Sequence, residues 1–160
     1  MTRTMLLREA TDADLDVLFE HWVDQESNRM AAFTAVEPSD RAAFDERWRR
    51  FRESDDITGR VIEENGQVVG SIGSWHNDGL REVTYWIGRP HWGRGIATRA
   101  LAQFLAKVEH ARPLQAVTAS DNVGSQQVLE RCGFRRVGEG RAFSNSRGEE
   151  VVELLFRLDQ

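Results

Sequence analysis

A strand-like alternating run from Val83 to Ile87 leads into a glycine-rich turn, and the turn opens directly into a helix with an apolar stripe. Gly93 and Gly95 in this turn have no Cβ, so a ligand can approach the backbone closely. The unpaired N–H groups at the helix N-terminus, together with a dipole equivalent to about half an elementary charge, favour an anion there. The sequence therefore predicts that a phosphorylated cofactor binds at this turn.

Two common nucleotide-binding motifs do not fit the turn. A P-loop has Lys followed by Ser or Thr after its last glycine, whereas this chain has Ile96 and Ala97 there. A Rossmann turn has a third glycine, which this turn lacks. The remaining pattern resembles the acyl-CoA pyrophosphate loop of the GNAT superfamily of N-acetyltransferases, Gln/Arg-x-x-Gly-x-Gly/Ala, with Trp92 in place of the polar first residue. A glycine pair by itself is also compatible with a purely structural turn.

A second motif follows the apolar strand predicted at 114–119. Asp121 or Asn122 can cap a helix that carries Ser125 and ends at Gly133, the residue type that favours a left-handed helix end. This run is similar to the superfamily's other signature, Asn-x-x-Ala/Ser on a helix that ends in Gly-Phe. Because both motifs occur in the expected order and in strand–helix context, together they indicate the family far more strongly than either does alone.

The resemblance implies that acetyl-CoA is the co-substrate. Backbone amides of the loop would contact the pyrophosphate, the Asn122 side chain would reach the pantetheine arm, and backbone groups near Ile87 would donate to the thioester carbonyl. An aromatic Trp92 behind a Tyr-Trp-Ile strand is most similar to the branch that contains the ribosomal-protein N-terminal acetyltransferases. The expected cofactor-binding residues are Ile87, Gly88, Trp92, Gly93, Arg94, Gly95, Ile96, Ala97, Thr98, Asn122 and Ser125.

Acetyl transfer requires a neutral amine, and the pKa is about 8 for a protein α-amine and about 10.4 for lysine, so a base is useful. Glu82 is the first candidate, because in the ribosomal branch a glutamate commonly occupies this place and faces the acceptor. Strand alternation would put Thr84 and Trp86 on the same face of the strand as Glu82. Glu82 is equally compatible with a solvated strand residue. His76, with an ordinary pKa of about 6.5, is the second candidate, although an exposed loop histidine is the more ordinary interpretation.

The residue that would protonate the leaving thiolate differs most clearly from the family pattern. Many GNAT enzymes place a tyrosine in the second-signature helix as the acid, and the matching residue here is Leu129. The resemblance to the ribosomal branch assigns this role to Ser125, one turn earlier, with water as the alternative. A thiol has a pKa of about 8.5 and its anion leaves tolerably well unaided, so the missing tyrosine predicts a slower enzyme rather than an inactive one.

The acceptor is expected to be a primary amine, either a protein N-terminus or a small molecule. The candidate substrate-binding residues are Phe33, Trp75, Glu82 and Tyr85, although a core position is as compatible with each aromatic ring. The segment 25–38 lacks periodicity and is interpreted as a loop with unusual apolar content. The net charge of −5 mildly favours a cationic acceptor.

The bulk properties are those of one compact enzyme domain spanning residues 1–160. The acidic net charge argues against nucleic acid as a partner. No apolar run approaches the length of about 20 residues of a membrane span, so we expect no membrane association and a cytoplasmic location. The lone Cys132 falls in a helix stripe and is interpreted as a core residue. We expect no metal, and family resemblance allows a monomer or a homodimer.

The predicted element order is β-α-α-β-β-β-α-β-α-β-β. This order matches the GNAT (acyl-CoA N-acyltransferase) fold, an α/β architecture with a mixed, mostly antiparallel central sheet flanked by about four helices. Asn65-Gly66 predicts a type I′ hairpin, and Ser39 is expected to cap the second helix, whose apolar stripe includes Trp48. The strands are predicted at 5–9, 57–64, 67–75, 80–87, 114–119, 134–141 and 149–158.

Three functions are compatible with these observations. The first is an acetyl-CoA-dependent N-acetyltransferase, which both motifs favour. The second is a catalytically degenerate module that binds acyl-CoA as a sensor, an interpretation motivated by Leu129. The third is an interaction domain whose glycine-rich turn binds no cofactor. Stabilisation by acetyl-CoA would separate the first two from the third.

Overall fold

The computed structural model describes residues 4–160, and its centre is a seven-stranded mixed sheet in the order β1-β2-β3-β4-β5-β7-β6. Neighbouring strands are antiparallel except β4 and β5. The strands are β1 (Met5–Arg8), β2 (Thr58–Glu64), β3 (Gln67–Asn77), β4 (Leu80–Ile87), β5 (Leu114–Ala119), β6 (Arg135–Ser144) and β7 (Glu149–Leu158). The helices are α1 (Leu15–Val23), α2 (Gln25–Ala31), α3 (Arg41–Glu53), α4 (Ile96–Lys107) and α5 (Val123–Arg131). The predicted α/β class and sheet type are confirmed.

The part of the chain that the structure describes contains five α-helices, one more than the sequence predicts. The additional helix is α2, within the segment interpreted as a loop. Asp24 caps it by accepting a hydrogen bond from the Ser27 amide at 2.9 Å, and the Asn28 side chain donates to the Trp22 carbonyl at 2.7 Å. A helix of seven residues is too short to show an apolar period, so its cap and tertiary contacts define it.

Local signals at the hairpins and caps are largely confirmed. Asn65 and Gly66 have φ values of 52° and 82°, as a type I′ turn requires. A second hairpin, at Asp78-Gly79, has φ values of 54° and 84° and extends β3 two residues beyond its predicted end. The expected cap at Ser39 is wrong, because Asp40 is the residue that accepts from the helix, through the Ala43 amide at 3.1 Å.

Helices cover both faces of the sheet. Val61 and Ile62 are neighbours on β2 whose side chains point to opposite faces, and each belongs to a different apolar core. Leu18, Phe44 and their neighbours on α1 and α3 form one core. Helices α4 and α5 contribute to the other, larger core. Among residues 4–160, no helix is both long and apolar enough to cross a membrane.

The sheet opens into a wedge between β4 and β5. These two parallel strands pair at only two positions, Arg81 with Leu114 and Glu82 with Gln115. Beyond the second pair the strands diverge, while β4 continues to pair with β3 as far as Ile87. The divergence leaves one edge of β4 without a strand partner in the middle of the sheet.

A buried ionic network lies at the closed end of the wedge. The Glu109 carboxylate accepts from Arg81 Nε at 2.7 Å and from Ser74 Oγ at 2.5 Å. Burial raises the pKa of Glu109, but the hydrogen bonds from Ser74 and Arg81 outweigh it and hold the pKa below its usual value. The network therefore ties β3, β4 and the end of α4 together beside the β4–β5 pairs.

Replacing Arg81 by Met should lower the free energy of unfolding by about 3 kcal/mol, because the variant leaves the Glu109 carboxylate buried without its cation. Urea denaturation at pH 7 measures the loss. A glutamate whose pKa is lowered in the folded state stabilises the fold at pH values above its ordinary pKa. This contribution to the free energy of unfolding is lost as the pH falls. The difference between wild type and variant should therefore shrink below a pH of about 4.3.

Arg135→Met is the matched control for this prediction. Arg135 forms an exposed ion pair with Asp159 at 3.0 Å, and pairs of this kind contribute at most about 1 kcal/mol. Equal losses in the two variants would contradict a structural role for the buried network.

Candidate active site

A cleft of about 1170 Å³ occupies the wedge between β4 and β5. Its walls include α5, the turn before α4, and the α2–α3 segment. The cleft passes through the sheet, because its walls contain consecutive β4 residues, and consecutive residues of a strand face opposite sides. Most of the predicted site residues lie on its walls: Phe33, Trp75, Glu82, Tyr85, Ile87, Trp92, Gly93, Gly95, Ile96, Ala97, Thr98, Asn122 and Ser125.

Two predicted cofactor-binding residues, Gly88 and Arg94, lie elsewhere. The Gly88 amide donates to the Val69 carbonyl at 2.9 Å, so β3 already uses this donor. A Cβ on Gly88 would lie 2.5 Å from the His21 ring, which explains why glycine is required there. The Arg94 side chain is exposed outside the cleft, and its carbonyl accepts from Arg99 at 3.3 Å. Neither Gly88 nor Arg94 lines the cleft.

Trp92 ties the loop to the end of β4. Its indole Nε1 donates to the Ile87 carbonyl at 2.8 Å. The aromatic residue that departs from the family pattern therefore makes a contact that orients the glycine turn. It does so while leaving the amides of the turn unobstructed.

The turn itself has the backbone that the sequence predicts for an anion site. Gly93 and Gly95 have φ values of 78° and 72°, a left-handed conformation that glycine adopts without strain. A Cβ built on either residue would meet no atom within 4 Å, so backbone conformation rather than packing requires glycine. Helix α4 begins at Ile96 without a side-chain cap, and the helix's first turn leaves its amide donors unpaired. These amides face the cleft as free donors.

Asn122 caps helix α5. Its Oδ1 accepts from the Ser125 amide at 3.2 Å, and its Nδ2 donates to the Met30 carbonyl of α2 at 3.3 Å. Of the two candidate caps it is therefore the actual one, whereas Asp121 pairs with Arg147 at 2.7 Å. Asn122 also lines the cleft, and its contact with a pantetheine arm stays a prediction.

Tyr85 and Ser125 face each other across the cleft. The Tyr85 hydroxyl lies 2.7 Å from Ser125 Oγ and shares a hydrogen bond with it. Burial raises the pKa of Tyr85 well above its usual value. Tyr85 lines the cleft, but it lies on the opposite face of β4 from Glu82, because odd-numbered β4 residues point to the α5 side and even-numbered residues to the other side. Its predicted contact with the acceptor stays a prediction. Leu129 is buried in the α4–α5 core, so it offers no polar group to this pair.

Glu82 lies at the apex of the wedge, on the last residue pair before the strands diverge. Its Oε1 accepts from Gln115 Nε2 at 2.9 Å and from Asn77 Nδ2 at 3.3 Å. Neither donor carries a charge, so Glu82 is not neutralised by an arginine as most carboxylates of this chain are. A carboxylate held by neutral donors at a cleft apex can accept a proton.

The face of Glu82 also carries aromatic residues. Trp75 is its cross-strand partner on β3, and Trp86 stacks on Trp22 with ring centroids 4.9 Å apart. The predicted sharing of a face by Glu82 and Trp86 is therefore confirmed. His76, the second candidate base, lies outside the cleft, where its ring contacts Asp56 and Arg81. It is not placed to act on a bound acceptor.

Backbone groups at the open edge of β4 complete the site. Because the Gly88 amide points to β3, alternation along an antiparallel strand directs the amides of Tyr85 and Ile87 to the other side, toward the wedge. The Ile87 carbonyl is engaged by Trp92, but this contact leaves its amide free. The expected donors near Ile87 therefore face the cleft, where β5 has moved away.

Some residues of the site carry no sequence signal that singles them out. Gln115 supports Glu82, and only the β4–β5 register brings the two together. Thr118 on β5 lines the cleft with a buried Oγ1 that has no hydrogen-bond partner among the described residues. Arg47 on α3, a helix rich in charged residues, also lines the cleft. An alternating strand pattern shows which residues share a face but not which strand lies beside them.

Cys132 agrees with its interpretation as a core residue. It packs against the α4–α5 core, and burial raises the pKa of its thiol. Among residues 4–160, no three His, Cys, Asp or Glu side chains form a group that could hold a metal ion.

Comparison with known proteins places this geometry in a family. Residues 4–135 match a family model described as an acetyltransferase (GNAT) domain. A relative, the uncharacterized N-acetyltransferase p20 of Bacillus licheniformis, is 24% identical over 173 residues, which cover 98% of this chain and 93% of that protein.

Solved structures share the fold over almost the whole chain. The ribosomal-protein-alanine N-acetyltransferase of Brucella melitensis is 23% identical with a TM-score of 0.81, covering 97% of this chain and 99% of that one. The spermidine N-acetyltransferase of Vibrio cholerae, solved with CoA and spermine, is 17% identical with a TM-score of 0.78, covering 96% and 95%. These likenesses confirm the predicted fold.

Replacing Gly88 by Ala should lower the free energy of unfolding by about 1–3 kcal/mol, because the new methyl group would overlap the His21 ring. The φ of Gly88, −58°, suits any residue, so the effect is purely steric. In a His21→Ala background the same substitution should cost much less. Urea denaturation of the four proteins of this cycle measures the coupling, and additive losses would contradict the contact.

Proposed function

The chain belongs to the GNAT acetyltransferase family, and from this premise we propose that it transfers an acetyl group from acetyl-CoA to a primary amine by direct attack in a ternary complex. The observation that carries the proposal is the wedge between β4 and β5, with the Glu82 carboxylate at its apex and free backbone donors on its open edge. The enzyme class, an acetyl-CoA-dependent N-acetyltransferase, is that of the family.

Acetyl-CoA would bind along the α4–α5 side of the wedge. The amides of the turn at Gly93 and Gly95 and of the first turn of α4 would hold its pyrophosphate. Buried Thr118 Oγ1 has no partner among residues 4–160, and such a polar atom suits the amide groups of a pantetheine arm. The open space beside both glycines supports a bulky anion at this place.

The amine would enter on the other side of β4 in its neutral form. Its nitrogen would attack the thioester carbon, form the new C–N bond and give its surplus proton to Glu82 as the C–S bond breaks; Glu82 would then pass that proton to solvent. The amides of Tyr85 and Ile87 would stabilise the negative charge that develops on the carbonyl oxygen. Because these donors are part of the sheet, they need not reorganise during the reaction.

The Tyr85–Ser125 pair would assist the leaving thiolate. A serine hydroxyl is a poor acid and burial raises the pKa of Tyr85, so the pair would act by hydrogen bonding to the sulfur and relaying a proton from solvent through hydroxyls 2.7 Å apart. The pair can donate to the sulfur as the C–S bond breaks and regain its proton from solvent. This pair supplies the hydroxyl that Leu129 cannot, which weakens the case for a degenerate sensor module.

The acceptor class is proposed as a protein N-terminus or a small-molecule amine, with Phe33 and Trp75 on the wall of its pocket. The relatives named above act, by their names, on ribosomal-protein alanine and on spermidine, so the fold accommodates both kinds of acceptor. We propose that residues 1–160 form one catalytic domain. All groups assigned here belong to one chain, and the proposal applies to a monomer or a homodimer.

A thiol-release assay with acetyl-CoA and a panel of amines tests the proposal, with Glu82→Gln as the variant. The wild-type protein should release CoA with at least one class of amine. The variant should lower kcat/KM by about 10²–10⁴-fold, because an amide cannot accept the proton. Acetyl-CoA at 100 times its Kd should still stabilise both proteins by about 2.7 kcal/mol.

Glu153→Gln, a second cleft carboxylate on β7, is the control and should keep near wild-type activity. If Glu82→Gln retained full activity, Glu82 would not be the base. A protein that binds acetyl-CoA but acetylates no amine would favour the sensor module. Absence of any acetyl-CoA stabilisation would favour the interaction domain.

The Tyr85–Ser125 pair is tested by the single variants Tyr85→Phe and Ser125→Ala and by their combination. Each single variant should lower kcat at least about 10-fold, and the double variant should cost little more than the larger single loss, because the two hydroxyls act as a unit. Steady-state kinetics with saturating acetyl-CoA measures the effect. Losses that multiply would show that the two groups act independently.

A further inference from the structure

Helix α3 carries five arginines, and ion pairing divides them into two sets. Arg41, Arg49 and Arg52 form ion pairs with carboxylates: Arg41 with Asp16 and Asp45, Arg49 with Glu46 and Glu53, and Arg52 with Asp12. The other two, Arg47 and Arg50, form no ion pair with any described carboxylate, although the chain has more acidic than basic residues. These two are also the α3 arginines that line the cleft.

Arg47 is held in place by aromatic rings. Its guanidinium lies 5.0 Å from the centroid of Trp22 and 4.7 Å from that of Phe51. Desolvation, and secondarily the charge of Arg50, lowers the pKa of Arg47 to about 10, so the group remains a cation at neutral pH. The rings fix the plane of the guanidinium group, and its N–H donors have no protein acceptor among residues 4–160. A cation in this state is preorganised for an external anion.

Trp22 connects Arg47 to the acceptor side of the wedge. Trp22 stacks on Trp86, and Trp86 shares the β4 face with Glu82. Arg50, one turn along α3, adds a second cation at the same wall. The nearby cleft carboxylate Asp40 caps α3 through the Ala43 amide and forms no ion pair with either arginine.

We propose that the acceptor carries an anionic group, and that Arg47 and Arg50 bind it while the amine of the same molecule lies at Glu82. This inference rests on the acetyltransferase function proposed above. It differs from the expectation of a cationic acceptor that the net charge favours. Glu37 and Asp40 also line the cleft, but neither pairs with Arg47 or Arg50, so both arginines keep their positive charge at this wall without a described carboxylate partner. A free amino acid or short peptide with its terminal carboxylate has this pair of charges, as does a phosphorylated amine.

The geometry also limits the length of the acceptor. Glu82 and Trp86 are four residues apart on one strand, so their Cα atoms are separated by roughly 13 Å. Arg47 contacts the Trp22 ring, which packs against Trp86 on this face. An extended peptide covers about 3.3 Å per residue, so acceptors of one to four residues cover lengths up to that strand separation.

The test compares acceptors that differ only in the anion. Peptides of one to four residues are supplied as free acids and as terminal amides, and phosphoethanolamine is compared with ethanolamine. The wild-type protein should favour the anionic member of at least one pair by about 10-fold or more in kcat/KM, the value expected for a charge-assisted hydrogen bond. The peptide and phosphate arms distinguish the two sources of the anion.

Arg50→Gln and Arg47→Gln should each reduce this preference, mainly by raising KM for the anionic partner. Arg47→Lys should retain part of the preference for the anionic acceptor, since lysine keeps the positive charge but lacks the planar guanidinium group. Arg49→Gln is the matched control, because Arg49 is on the same helix and pairs with Glu46 and Glu53. Arg50 is exposed and makes no core contact, so its variant remains informative if Arg47→Gln is poorly folded.

Calorimetric titration of the N-acetylated peptide acids and amides into the CoA-bound protein decides the question independently of turnover. An acid preference that the Arg47 and Arg50 variants lose supports the anion site, even if acetylation were to fail and the proposed function with it. Equal binding and equal kcat/KM for acids and amides would overturn the anion site. A preference for spermidine over every anionic amine, or a preference equally reduced by Arg49→Gln, would also overturn it.

Discussion

The pairing of β4 with β5 over only two residues is the constraint on which the site depends. The backbone pairs Arg81–Leu114 and Glu82–Gln115 hold the two strands together. The network of Arg81, Glu109 and Ser74 lies beside these pairs, at the closed end of the wedge. Beyond that point β4 keeps β3 on one side and has an open edge on the other. Unpaired backbone donors in the middle of a sheet are costly unless a ligand or water uses them. The wedge therefore joins the stability of the fold to its capacity to bind a substrate.

The alternation of β4 divides the chemistry between two faces. Tyr85 points to α5 and meets Ser125, on the side of the glycine-rich turn. Glu82 and Trp86 point to the side of α1 and α3, where the acceptor would lie. The reacting atoms of the two substrates would thus meet at the strand itself. A one-residue register shift in β4 would exchange the two faces and separate each group from its partner.

Several features of the site are local and were predictable. The Gly93 and Gly95 turn, the start of α4 and the type I′ hairpin at Asn65-Gly66 depend on φ preferences and unpaired amides, which a short run of residues determines. Helix α2 was missed because seven residues are too few to show a helical period. The contact of Asn122 with the Met30 carbonyl could not be predicted, because the two residues are far apart in sequence. Gly88 was predicted to bind the cofactor, but it does not line the cleft and the ring of His21 lies against it.

The amino-acid sequence by itself determined the family, the order of the strands along the chain and the conformation of the glycine-rich turn, because propensity, apolar period and glycine conformation act over a few neighbouring residues. Tertiary structure alone decided which side chains meet. It paired Tyr85 with Ser125, placed Glu82 at the apex beside Gln115, and left Arg47 on an aromatic platform without an ion pair to a described carboxylate. The first two contacts join residues 40 and 33 positions apart, and Arg47 lies 25 positions from Trp22. Strand register and helix packing set them, and a pattern within one segment carries no information about its neighbour.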